Sequence, residues 1–163
     1  MSDKETPRRQ TVRNKIELER IMHPAVSVTP DTTAREALKV LLENTVPGVP
    51  VVDQEGVLVG FVTDGHLLAS AVPKYLKFME DVSFVSQAGD EWVDYFTESA
   101  ERPVSEVMSK EFSHAEVGTS EVIVAHKMVQ EGVSSVVITD GGRVAGIVNR
   151  LDLYAAIIEP EPE

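Results

Sequence analysis

Apolar positions along this chain follow one pattern, and the pattern occurs twice. Residues 49–53 and 57–62 are dense in Val, with the polar turn Gln54-Glu55-Gly56 between them. That arrangement predicts two strands joined in a hairpin. Residues 135–139 and 143–148 repeat it, joined through Asp140-Gly141-Gly142. Upstream of the first pair, Ala37, Leu38, Leu41 and Leu42 recur at helical spacing. Thr33-Ala-Arg-Glu36 precedes them as a capping box, in which hydroxyl and carboxylate answer each other's backbone N–H groups. In the second half, Gly118-Thr119-Ser120 marks the helix start, and Val122, Ala125, Met128 and Val129 supply the face. A short β segment precedes each helix, at 26–29 and 112–115. A further helix follows each hairpin, from near Asp64 and near Arg150.

The two halves align residue by residue. Val46 matches Val133 and Asp53 matches Asp140 at an offset of 87, and Gly60 matches Gly146 at 86. Thr32 pairs with Thr119, Leu38 with Ala125, Leu41 with Met128, and Ile21-Met22 with Val107-Met108. The slips of one residue fall in loops, where they cost little. Each copy reads β-α-β-β-α over about 50 residues, too few to bury enough apolar surface alone. Two copies packed sheet to sheet solve that problem and leave a cleft between them.

Charge and composition narrow the function. The chain has 163 residues and a net charge of -12, from 15 Lys+Arg against 27 Asp+Glu. Six of the basic residues lie in 1–20, leaving nine basic against 23 acidic over 21–163. A body this acidic repels a phosphate backbone, so no nucleic-acid partner is expected. The arm reads as a solvated terminus that could touch an anionic partner. There is no cysteine, hence no thiolate metal site, disulfide framework or cysteine nucleophile. His23, His66, His114 and His126 have no metal-ligand spacing, and no phosphate-loop or nucleophile-elbow motif occurs. The expectation is a non-enzyme without metal or cofactor. The opening MSDKETPRRQ has no apolar run, and no stretch reaches the ~18 apolar residues of a membrane span. We therefore expect a cytoplasmic protein with no membrane partner.

The expected organisation is an arm with a short helix (1–20), a first repeat (21–69), an insert (70–103), a second repeat (104–158) and a polar tail (159–163). The stretch Val12–Arg20 reads as a short helix able to pack on the opposite repeat. The insert holds six of the nine aromatic residues: Tyr75, Phe78, Phe84, Trp92, Tyr95 and Phe96. Two short helices are expected there, either covering the core or forming a dimer interface or a lid.

Several segments together carry a family resemblance: Ile21-Met22, Val46 through Asp53, Gly60-Phe-Val-Thr63, Val107-Met108, Val133 through Asp140, and Gly146 through Asp152. The chain resembles a tandem pair of cystathionine β-synthase (CBS) domains, a Bateman module. The two copies cover about two thirds of the chain. The resemblance implies an α+β, sandwich-like fold: two CBS repeats related by a pseudo-two-fold axis, commonly assembled as a homodimer.

The resemblance also implies a regulatory module for adenosine-type ligands: AMP, ADP, ATP or S-adenosylmethionine. An effector protein, which the sequence does not name, would read the ligand-driven change. The family pattern is Gly, two residues, Thr/Ser, two residues, Asp, at the turn from second hairpin strand into helix. Physically, such a helix start seats an anion, the hydroxyl bonds a phosphate or ribose oxygen, and the carboxylate accepts the ribose diol. The second copy has Gly146, Asn149 and Asp152; the first has Gly60, Thr63 and then His66 in the carboxylate position. The cleft with Asp152 therefore ranks first. Asp152 would hold the ribose, Asn149 an adjacent oxygen and Arg150 a phosphate, with the base near Ile147, Val26, Val46 and Pro47. The weaker cleft would use Phe61, Thr63, His66, Phe112, Val133 and Ser134.

Blander roles stand beside these. Asp152 could serve only the helix dipole, Arg150 a surface ion pair, Thr63 a helix cap, and His66 a helix surface. Gly60 and Gly146 permit close packing whether or not anything binds. Few cations lie outside the arm, which favours AMP or adenosine-like ligands over ATP unless Mg²⁺ bridges. The alternative function is a ligand-free pair serving as a dimerisation or interaction scaffold.

Overall fold

The computed structural model describes residues 17–87 and 91–159. In the first copy the helix α2 (Ala34–Asn44) leads into the antiparallel hairpin β1 (Gly48–Val52) and β2 (Leu58–Thr63), followed by α3 (Asp64–Ala71). In the second, β3 (His114–Glu116) leads into α6 (Glu121–Glu131), the hairpin β4 (Ser135–Asp140) and β5 (Arg143–Asn149), and α7 (Arg150–Ile158). Single-turn helices precede the copies, α1 (Leu18–Ile21) and α5 (Val104–Val107), and α4 (Glu91–Ser99) lies in the insert. Among the described residues no helix is long and apolar enough to cross a membrane.

Both helix-start signals operate. Thr33 Oγ1 accepts from the Glu36 N–H at 3.2 Å while Glu36 accepts from the Thr33 N–H at 3.0 Å. Ser120 caps α6, and Gly132 ends it in the left-handed region at φ 65°. The leading β segments are shorter than expected. In the first copy the segment reduces to one parallel bridge, Val28 to Val51, because Pro24 and Pro30 remove donors at both ends. In the second, pairing starts at His114, parallel to Val137.

Three cross-copy bridges define a pseudo-two-fold axis. Val57 pairs antiparallel with Arg143, His23 with Ile147, and Ser109 with Phe61. The first joins a residue to its own counterpart and so lies on the axis. The other two are images of each other, and each leader crosses to the opposite hairpin. Hydrogen bonds run both ways in these pairs, at 2.8 and 2.9 Å for His23–Ile147 and 2.9 Å twice for Ser109–Phe61. The glycines make room: a Cβ at 146 would lie 2.8 Å from the His23 carbonyl oxygen, and one at 60 would collide with Met108 Sδ.

Each copy has its own core, and the two cores correspond. Ala37, Leu41, Val49, Val51 and Val62 in one match Val124, Met128, Val136, Ile138 and Val148 in the other. Leu18, ahead of the first copy, is buried in the second core, and its counterpart Val104 is buried in the first. The short N-terminal helix thus packs on the opposite repeat; residues 12–16 of the expected helix lie outside the described residues. Burying one such side chain contributes about 1.5–3 kcal/mol.

The predicted apolar helix faces are only half used. Ala37, Leu41 and Met128 face the sheets, joined by Val124, which the pattern does not single out, whereas Leu42 is 69% exposed, its counterpart Val129 78% and Val122 64%. The apolar stripe is wider than the strip one sheet covers. Among the described residues of the insert, α4 is the one α-helix that lies wholly within it, and Lys74–Phe78 and Ser83–Gln87 are 3₁₀ turns. Tyr75 and Trp92 meet at 6.1 Å between ring centroids, while Phe78 stands out into solvent. The end of the insert anchors α2: the Ala34 and Arg35 N–H groups donate to the Arg102 and Ala100 carbonyls, both at 2.8 Å.

Candidate functional site

The pseudo-dyad leaves two related cavities between the copies. The first, about 320 Å³, is walled on one side by residues 23–26 and 46–49 and on the other by Ser134, Ser135, Ile147 and Asn149. Val26, Val46, Pro47, Ile147 and Asn149 are therefore brought together. Its walls are mostly apolar, with neutral polar groups from Asn44, Ser134, Ser135 and Asn149.

The chain enters α7 beside this cavity. The Arg150 N–H donates to the Ser134 carbonyl at 3.0 Å, and the side chain of the N-cap residue, Asn149, does not cap that helix start. Uncapped N–H groups and the helix dipole favour a negative or electron-rich ligand atom there. Asp152, in the first turn of α7, does not itself line the cavity but bonds two residues that do. Its Oδ2 accepts from His23 Nε2 at 2.7 Å and from Asn149 Nδ2 at 3.4 Å. Both members of the His23–Asp152 pair are about half exposed, so the contact itself contributes ~0–1 kcal/mol.

Arg150 does not line this cavity. It borders a groove of about 380 Å³ on the outer side of α6 and α7, with Met128, Val129, Leu153 and Tyr154. Arg150 and Asp152 are two residues apart, about 200° around the helix, so they face different sides.

The second cavity, about 310 Å³, is lined by Phe61, Thr63, His66, Phe112, Val133 and Ser134, together with Ser109, Glu111 and Ser113. Its helix start is closed. Thr63 Oγ1 accepts from the His66 N–H, and His66 Nδ1 accepts from the Thr63 N–H, both at 3.1 Å. His66 thus takes the place of Glu in a capping box, and Thr63 is the cap. Nδ1 must carry a lone pair to do this, which leaves the ring proton on Nε2.

Sequence reasoning missed His23, Asn44 and Glu111. The alignment of Ile21-Met22 with Val107-Met108, carried one residue further, sets His23 opposite Ser109. Nothing in the pattern says that these leaders cross to the opposite copy.

The CBS domain family model matches residues 18–72 and 104–159. A curated relative, the CBS domain-containing protein CBSX1, chloroplastic, of Arabidopsis thaliana, is 52% identical over 42 residues, 26% of this chain and 18% of that protein. The aligned stretch is thus less than a fifth of that relative's length. Among solved structures, the CBS domain of a CBS domain containing membrane protein from Sphaerobacter thermophilus is 27% identical with TM-score 0.68, covering 86% of both chains. CBSX2 in complex with AMP is 23% identical with TM-score 0.65, covering 88% of this chain and 96% of that one. The CBS domain pair of MJ0100 in complex with 5-methylthioadenosine and S-adenosyl-L-methionine is 21% identical with TM-score 0.64, covering 90% and 99%. Matched over more than half its length, in two copies related by a pseudo-dyad, this chain belongs to the CBS domain family.

Proposed function

We propose that this chain is a non-catalytic regulatory module that binds an adenine nucleotide or adenosyl ligand in the cavity beside Asp152. The observation that carries the reading is that cavity itself. Apolar walls from both copies meet an uncapped helix start with a carboxylate in its first turn. The base packs against Val26, Val46, Pro47 and Ile147, the ribose bonds Asp152, and Asn149 bonds an adjacent oxygen. CBSX2 with AMP, and the MJ0100 pair with two adenosyl ligands, support that ligand class. The acidic body favours AMP over ATP, which would bring Mg²⁺ with it. Because the ligand touches both copies, binding shifts their relative angle, and an effector protein reads that shift.

The same reading includes a homodimer. Leu42, Leu68, Val129, Leu151 and Tyr154 expose apolar surface on the outer helices of both copies, and a second copy of the chain buries it.

The second reading, a ligand-free scaffold, is favoured by one observation: the first-copy helix start is already closed by Thr63 and His66. Thermal shift with AMP, ADP, ATP and S-adenosylmethionine separates the two. A ligand at 100 times its Kd adds about 2.7 kcal/mol and raises the melting temperature. If none of the four does so, the scaffold reading stands.

A further inference from the structure

Among the described residues, His23 is the one ionisable side chain lining the first cavity. Among the described residues no Lys or Arg lines it. Arg150 borders the outer groove, and Arg20 on the preceding helix is paired with Glu17 at 3.6 Å. Among the described residues the charged group in contact with the imidazole is Asp152 from α7; α2, the residue before β4, β4 and β5 present Asn44, Ser134, Ser135 and Asn149 to the cavity, none of them charged.

We propose that His23 selects the ligand class of this cavity: protonated, it is the cationic partner of a 5′-phosphate, and neutral, it opposes one. The ring is held in place. Two backbone hydrogen bonds fix residue 23 to Ile147, and Nε2–H is spent on Asp152 at 2.7 Å. With Nε2 carrying the proton, neutral imidazole has a lone pair on Nδ1, which repels phosphate oxygen. Protonation turns Nδ1 into a second donor without disturbing the bond to Asp152. Histidine changes charge between about pH 5 and 8. Phosphorylated adenosyl ligands therefore gain affinity as pH falls, and uncharged ones do not. The second cavity cannot act this way. Its counterpart of His23 is Ser109, whose hydroxyl donates to the Glu111 carbonyl at 2.6 Å, and His66 Nδ1 is occupied by the helix cap.

This inference rests on the nucleotide reading above, and the experiment separates the two. AMP and adenosine are titrated calorimetrically into the full chain and into His23→Gln, at about pH 5.5 and about pH 8. Taking the ratio of wild type to variant at each pH cancels the titration of AMP's own phosphate near pH 6. The expected result is roughly a tenfold larger wild-type advantage for AMP at the lower pH, and a ratio for adenosine that does not move. If adenosine binds but the AMP ratio is the same at both pH values, His23 is not the phosphate partner and the nucleoside reading survives. If neither ligand binds either protein, both are overturned. Equal melting temperatures of the two proteins without ligand show that the variant is folded.

Discussion

Val57 and Arg143 face each other in an antiparallel bridge, and each is the other's counterpart in the repeat. Around them the Leu58 N–H donates to the Gly142 carbonyl at 3.0 Å, and the Val144 N–H to the Gly56 carbonyl at 3.4 Å. A residue that pairs with its own counterpart marks a two-fold axis. The two hairpin turns therefore meet on that axis, and the cavities lie to either side, related by it. The cavities are alike in volume, about 320 and 310 Å³, and differ in chemistry. One is lined by His23, whose ring bonds Asp152; the other is lined by Ser109 and by His66 at the matching places.

The crossing of the leaders is the first point to test. Leu18→Ala removes a side chain buried in the second copy's core and is expected to cost about 2–5 kcal/mol in denaturant unfolding. Hydrogen exchange should quicken in β4 and β5 before β1 and β2. Faster exchange confined to the first hairpin would show that Leu18 serves its own copy.

Gly146→Ala places a methyl group 2.8 Å from the His23 carbonyl oxygen, which is fixed in a bridge and cannot swing away. The expected loss is about 1–3 kcal/mol, the usual cost of overpacking. Gly60→Ala runs chiefly into the flexible Met108 side chain, with the nearest backbone oxygen at 3.1 Å, and should cost less. Equal losses would mean that the two crossings are equally tolerant.

The Thr63–His66 box predicts an asymmetry that a surface histidine would not show. Thr63→Ala should cost about 0.5–2 kcal/mol, as caps do, and His66→Glu should leave stability nearly unchanged because glutamate closes the same box. Thermal denaturation of the two variants measures this. A destabilised His66→Glu would contradict the box.

Leu42 and Val129 are counterparts, exposed on the outer helices of the two copies. If the proposed homodimer forms, the double variant Leu42→Glu, Val129→Glu should convert it to a monomer in sedimentation equilibrium. Monomer stability should change by less than about 0.5 kcal/mol per site. A wild-type chain that sediments as a monomer refutes the proposed assembly.

Much of this fold could be read from the repeat, because a duplicated pattern tests itself. Thr33 with Glu36, the two hairpins and the Val–Ile core positions each satisfy a local rule of capping, turn or period. What escaped was placement across the axis. Leu18 and Val104 are apolar wherever they pack, and nothing in their spacing names the core that receives them. Arg150 stands at the helix start, which is what suggests it for a phosphate, but the turn of the helix carries its side chain to the outer groove, away from Asp152. His66 stands where the family pattern has a ribose carboxylate, yet it serves the helix cap. Its Thr-x-x-His spacing is the same as that of the Thr33 box, and its ring nitrogen does the work of the Glu36 carboxylate. The exposed halves of the α2 and α6 faces read as core because periodicity registers an apolar stripe, not what covers it.

Backbone amide shifts recorded during an AMP titration test the central claim most directly. The account predicts that the amides of Val26, Val46, Ile147, Asn149 and Asp152 move together, that Phe61 and Phe112 stay still, and that Asp152→Ala abolishes the response. Shifts centred on the Thr63–His66 cavity or on the outer groove beside Arg150, or a titration that moves nothing, would contradict it.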